Sequence, residues 1–125
     1  MDRRKELKQQ YKLAKPEMGI FIIRCLKNKR CHLQATPDLR GVMNGAKARL
    51  NSNSHPYRAL QQDYNLLGKE QFTMEILETL PYDKDETKTD YSEELALLQM
   101  IWEDRLLQDG YMFYGKRAEP EKDGR

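Results

Sequence analysis

The chain has 125 residues, 22 Lys and Arg against 20 Asp and Glu, 38% hydrophobic residues and a formal charge of +2. That length buries one core without cross-links, so a single domain is expected. No apolar run reaches the roughly 20 residues that span a bilayer, and no hydrophobic segment follows the charged opening Met1-Asp2-Arg3-Arg4-Lys5, which predicts a cytoplasmic protein without a membrane anchor.

The two cysteines and two histidines fit no zinc-ligand spacing, so a structural metal is not expected. The small net charge conceals a division along the chain. Residues 1–49 carry 13 Lys and Arg against 4 Asp and Glu, whereas residues 50–115 carry 5 against 13. Such a split gives either a basic face suited to phosphates or two solvated surfaces of opposite sign.

Residues 2–15 favour a helix by propensity, with Leu7, Tyr11 and Ala14 on a narrow stripe and Pro16 as its stop. This basic segment, residues 1–15, is read as an accessory helix. It either lies along nucleic acid through Arg3, Arg4, Lys5, Lys8 and Lys12 or is clamped to the domain by Leu7 and Tyr11.

Next come two runs rich in β-branched and apolar residues, Gly19-Ile20-Phe21-Ile22-Ile23-Arg24 and Cys31-His32-Leu33-Gln34, separated by the polar Lys27-Asn28-Lys29-Arg30. They read as a β-hairpin. With Asn28 and Lys29 in the turn, Cys25 faces His32, Ile23 faces Gln34 and Phe21 faces Thr36. One face then carries Phe21, Ile23, Cys25, His32 and Gln34. The other carries Ile22, Leu26, Cys31, Leu33 and Ala35 and reads as the drier of the two. Cys25 and Cys31 fall on opposite faces, which argues against a disulfide between them.

Thr36-Pro37 reads as a helix start, since Thr caps and Pro suits the first turn. That helix runs to about Leu50, with Leu39, Val42, Met43, Ala46 and Leu50 inward. Ser54-His55-Pro56 caps another helix bearing Tyr57, Leu60, Tyr64 and Leu67, which Gly68 ends. Residues 71–80 alternate Phe72, Met74 and Ile76 with Thr73 and Glu75, the pattern of a strand. Residues 82–89 are a charged loop. From Ser92 a last helix runs to about Gln108, with Leu95, Leu98, Trp102 and Leu106 in one arc and Gln99 in the middle of it. A buried amide without a partner costs on the order of 1–3 kcal/mol, so Gln99 is expected to bond to the sheet or to water.

Gly19-Ile20-Phe21 and His32-Leu33-Gln34, at this spacing, with Arg24 after the first and Thr36-Pro37-Asp38-Leu39 after the second, resemble the two strand motifs of the GIY-YIG nuclease family. The run from Ser54-His55-Pro56-Tyr57 through Leu67-Gly68-Lys69 to Phe72-Thr73-Met74-Glu75-Ile76-Leu77-Glu78 is similar to the middle of short bacterial members. The resemblance covers roughly residues 16–108 and implies an α/β (α+β) domain there. It would have a small three-stranded antiparallel sheet flanked by helices, in the order α-β-β-α-α-β-α, with residues 109–125 as a tail.

The resemblance also implies a site. Phe21 and His32 stand where the family has motif tyrosines, Gln34 where it has a glycine, and Gln99, three residues before Trp102, where it has a metal-binding glutamate. Arg40, Lys47 and Arg49 are displaced stand-ins for the family's arginine and, with Lys8 and Lys12, are candidate nucleic-acid contacts. A working member would use Mg²⁺ or Mn²⁺. An amide oxygen is a far weaker ligand for such ions than a carboxylate, because it brings no charge. Glu103 is an imperfect substitute about 40° around the helix from Gln99. Glu94 faces away. His32 is either a general base opposite Cys25 or a histidine satisfied by a sheet neighbour. The expected function is therefore that of an endonuclease-like protein with a degenerate site, binding DNA or impaired in cleavage. The alternative is a non-catalytic module that pairs with a protein partner or forms a homo-oligomer.

Overall fold

The computed structural model describes residues 15–115. The expected helix before Pro16, with Lys8 and Lys12, and the segment from Lys116 onward lie outside the described residues. Strands β1 (Met18–Cys25) and β2 (Arg30–Thr36) form the expected hairpin, followed by helix α1 (Leu39–Asn51) and helix α2 (Arg58–Leu67). A 3₁₀ turn (Lys69–Gln71) leads to strand β3 (Phe72–Leu80), and helix α3 (Ser92–Gln108) to strand β4 (Met112–Phe113). Among the described residues no helix is long and apolar enough to cross a membrane.

The sheet has four strands in the order β3-β1-β2-β4, not three, and it is mixed: β1 is antiparallel to β2 and β3, while β4 runs parallel to β2. The extra strand is only two residues long, too short for a period-two pattern to announce it. Gly110 takes φ +90° where the chain leaves α3, a conformation that glycine adopts without steric cost. Tyr114, just past β4, is buried.

The hairpin register also differs from expectation. His32 pairs with Ile23 and Gln34 with Phe21, because the connection is the four residues 26–29 rather than a two-residue turn. Lys29 adopts φ +56°, and Asn28 Oδ1 accepts from the Arg30 amide at 3.0 Å. A slip of two residues preserves side-chain parity, so the two face assignments survive it. Cys25 and Cys31 are free and sit on opposite faces.

Both faces are dry, so neither was the drier one. Phe21, Ile23 and Cys25 pack under Leu39, Ala46 and Leu50 of α1 and Leu60 of α2. Ile20, Ile22, Cys31 and Leu33 pack under Leu98, Trp102 and Leu106 of α3. A bulge at Ile20/Phe21 shifts the β1–β3 register, which lets Leu77 join the α3 side. Leu26, expected inside, is in the turn and exposed.

Gly19 lies where β1 and β3 approach closely. A Cβ there would overlap the backbone oxygen of Glu78, so only glycine fits. The α1 cap is Asp38, whose carboxylate accepts from the Gly41 amide at 3.1 Å. Thr36 instead holds the Asp38 amide at 3.1 Å. The α2 cap is Tyr57, one residue beyond the expected Ser54-His55-Pro56. Helix α3 has the bounds the sequence predicted.

Candidate functional site

In an antiparallel ladder alternate residues turn their amide and carbonyl away from the partner strand. On β2 those outward groups meet β4 only at Arg30 and Cys31. Farther along, the edge is flanked by α3 and by the loop entering α2. A cleft runs there as two adjoining cavities of about 90 and 230 Å³ that share Leu33, Tyr57 and Gln99. The smaller adds His32, Glu103 and Tyr114, and the larger adds Gln34, Arg49 and His55. A roomier concavity of about 650 Å³ between Pro16 and Tyr82 is lined by Lys15, Glu17, Asp83, Lys84 and Glu86 and contains no histidine or arginine.

Helix α3 supplies one wall. Gln99 Oε1 accepts from the Ala35 amide at 3.2 Å, the partner on the sheet that the sequence required. Its Nε2 donates to Glu103 Oε2 at 3.1 Å, one helical turn on. Farther down, Trp102 Nε1 donates to Glu78 Oε1 at 2.8 Å, tying the helix to β3. Glu94 is turned elsewhere and pairs with Lys88 at 2.7 Å.

The opposite wall comes from the end of α1 and the start of α2. His55 is 6% exposed, and its Nδ1 accepts from the Tyr57 backbone N–H at 3.1 Å. A ring nitrogen that accepts carries no proton, so neutral His55 carries its proton on Nε2. That nitrogen has no protein partner among the described residues. Burial and then the Arg49 guanidinium hold the His55 pKa below its ordinary value, so at neutral pH the ring is an uncharged donor. Arg49 is exposed and forms no salt bridge among the described residues.

His32 lies between the walls, 5% exposed. The Tyr57 ring centroid is 4.4 Å from its own, and the His55 ring meets it edge-on at 5.6 Å. Its Nε2 is 3.4 Å from Gln34 Oε1, with the ring N–H as donor. Burial first, and His55 second, push the His32 pKa down to about 4 against a smaller opposing effect of Gln34. A base that weak takes up few protons at neutral pH. Of its two expected roles, the geometry matches the satisfied histidine, held by Gln34 and Tyr57 rather than by Cys25.

The remaining candidates divide. Arg49, Gln99 and Glu103 meet His32 at the cleft. Phe21 does not line it, being fully buried beneath α1 and α2. Arg40 and Lys47 are exposed on α1 and line neither cavity.

The residues present do not fit a divalent cation. Mg²⁺ and Mn²⁺ favour charged oxygen ligands. Glu103 is the one carboxylate lining the cleft, and it already accepts from Gln99, whose own oxygen is turned to the strand. Among the described residues no group of three His, Cys, Asp or Glu side chains is placed to hold a metal.

Sequence reasoning missed His55 and Tyr57 as cleft residues, reading one as part of a helix cap and the other as an apolar helix position. The available signal was their place in Ser54-His55-Pro56-Tyr57. A residue before proline is held extended, which fixes a histidine ahead of the helix rather than on it.

No protein-family model matches the chain, and no curated protein matches it. Two solved structures do match in fold. One is the catalytic domain of homing endonuclease I-TevI, at 20% identity and a TM-score of 0.60, covering 79% of this chain and 99% of that one. The other is a mutant of the same domain, described as that of an intron endonuclease, at 19% identity and a TM-score of 0.61, covering 82% and 97%. The chain thus has a GIY-YIG-like α+β fold.

Proposed function

We propose that the protein binds nucleic acid, DNA first of all, on a GIY-YIG-like scaffold whose cleft no longer holds the metal that cleavage by such a domain requires. The observation that carries this reading is Gln99. An uncharged amide stands at the centre of the α3 wall, bonded to Ala35 and Glu103. The likeness to an endonuclease catalytic domain supports the substrate class by analogy of fold.

In this reading Arg49 meets a non-bridging phosphate oxygen with charge, and His55 meets one with its Nε2–H. His32 and Tyr57 form the floor, and His32 stays neutral. Lys8 and Lys12 extend the contact from the accessory helix, with Arg40 and Lys47 on the flank of α1. The protein acts in the cytoplasm.

A second reading, an interaction module or homo-oligomer, is favoured by one observation. Leu97, Met100 and Ile101 of α3 are 58%, 64% and 45% exposed and share the side of the helix facing away from the sheet. Fluorescence anisotropy of a labelled DNA duplex at 50 and 200 mM salt separates the two. The first reading predicts binding that weakens at least tenfold over that range. Absence of binding at both salts, with salt-insensitive self-association by analytical ultracentrifugation, would replace it with the second.

A further inference from the structure

Three of the cleft's polar groups come from the end of α1 (Arg49) and from the loop that leads to α2 (His55 and Tyr57), so something must fix that loop. The buried polar side chain at this junction is Gln61 of α2, 4% exposed. Its Oε1 accepts from the His55 amide at 2.9 Å. Its Nε2 donates to the Leu50 carbonyl at 3.0 Å, one residue beyond Arg49, and to Asn65 Oδ1 at 3.0 Å. Asn65 Nδ2 in turn donates to Asn53 Oδ1 at 2.8 Å, so the chain of amides returns to the loop it started from.

We infer that Gln61 is the positioning residue of this wall: one buried amide ties the end of α1 to the His55 backbone and so holds the ring that lines the cleft in its Nε2–H form. This inference deepens the proposed function and rests on it only for what the cleft binds.

The physical argument is one of economy. A buried position against the α1 terminus needs only apolar volume for packing, and an amide there is tolerable only if its groups are satisfied. Gln61 satisfies its acceptor and both donor positions, and two of the three bonds go to the His55 backbone and to the α1 end that carries Arg49. With the His55 amide held, the loop closes so that the Tyr57 N–H reaches His55 Nδ1. That bond selects the ring form whose free donor is Nε2. Without the Gln61 acceptor, the loop is freed from the α1 terminus and either ring nitrogen can carry the proton. Gln61 itself lines neither cavity of the cleft.

The charged and titratable groups around the ring are Arg49 from α1, His32 from β2, Tyr57 from the loop and Arg58 from the start of α2. None of them is altered by changing Gln61, so a change in His55 reports its placement.

The test is long-range ¹H–¹⁵N NMR of the histidine rings across a pH titration, on wild type and on Gln61→Met, with near-UV circular dichroism confirming the fold. Wild type is expected to show one neutral His55 form, protonated on Nε2, with a depressed pKa. In Gln61→Met the two forms should mix and the pKa should move toward 6.5, while His32 keeps its signature. A folded Gln61→Met with an unchanged His55 pattern would overturn the inference.

Gln61→Glu keeps the acceptor for the His55 amide and should keep the single form, so the claim stays open to refutation should the methionine variant not fold. Loss of that form in a folded Gln61→Glu protein would equally overturn it. Duplex affinity measured on the same samples separates the two readings. A His55 pattern that changes with no change in DNA affinity upholds the positioning role and removes His55 from the proposed DNA contacts, whereas a wild type that binds no duplex removes the proposed function and leaves the positioning role standing.

Discussion

The two walls of the cleft face the same strand edge in opposite chemical states. On the α1–α2 side Arg49 and His55 present donors that no group among the described residues takes up. On the α3 side Gln99 and Glu103 satisfy each other and the strand. One wall is kept open by a buried amide, Gln61, that does its bonding behind the surface, whereas on the other the amide at the surface has closed the site on itself. Binding needs donors aimed at a ligand, and metal-assisted cleavage needs unspent acceptors. The cleft has donors from Arg49 and His55, and for acceptors a single carboxylate, Glu103, with one oxygen given to Gln99.

The comparison can be broken most severely by restoring an acid to the α3 wall. Gln99→Glu places two carboxylates a helical turn apart, which repel each other in the absence of a cation and attract a divalent one. Mn²⁺ affinity followed by electron paramagnetic resonance should rise on the order of 100-fold over wild type. No gain would mean that the wall's geometry, and not its charge, excludes the ion.

A second effect comes from the floor. The unfolded chain takes up the His32 proton near pH 6.5, and the folded protein only near pH 4. Between these values the unfolded state holds more protons, so stability falls as the pH drops and levels off below about 4. The full loss is up to about 3 kcal/mol, and His55, depressed in the same direction, adds to it. Urea unfolding of wild type against His32→Gln at pH 7.5, 5.5 and 4 measures the difference. If the two proteins lose stability in parallel, His32 is not the neutral buried ring described.

Smaller changes sharpen the contrast between the walls. Arg49→Ala should weaken duplex binding about tenfold and lower the slope of log affinity against log salt by about 1. Arg40→Ala, outside the cleft, should do less. Glu103→Gln should leave DNA affinity within about twofold in anisotropy titrations, because it removes a carboxylate that already accepts from Gln99. A large loss on that substitution would place the ligand on the α3 wall instead.

Much of this architecture was legible in the residues because it rests on periodicity. The α3 bounds, the inward arc around Trp102 and the need of Gln99 for a sheet partner all followed from a 3.6-residue repeat with one polar break. The hairpin faces survived a wrong turn because parity tolerates a slip of two. Three things were not legible, each for a physical reason. Strand β4 has two residues and no pattern. The register depended on Lys29 accepting a left-handed conformation, which its side chain does not advertise. His55 and Tyr57 act through a loop conformation, fixed by a glutamine whose role exists only once α1 and α2 are packed. The same limit hid the burial of Phe21, which a strand motif places on a face without saying what covers it.

The central claim is that an amide has taken the place of an acid on a scaffold that otherwise still binds. Nicking of supercoiled plasmid in Mg²⁺ or Mn²⁺, run on wild type and Gln99→Glu side by side, tests it most directly. The account predicts intact plasmid with wild type and metal-dependent nicks with the substituted protein. Nicking by wild type at a rate equal to or above that of Gln99→Glu would contradict it.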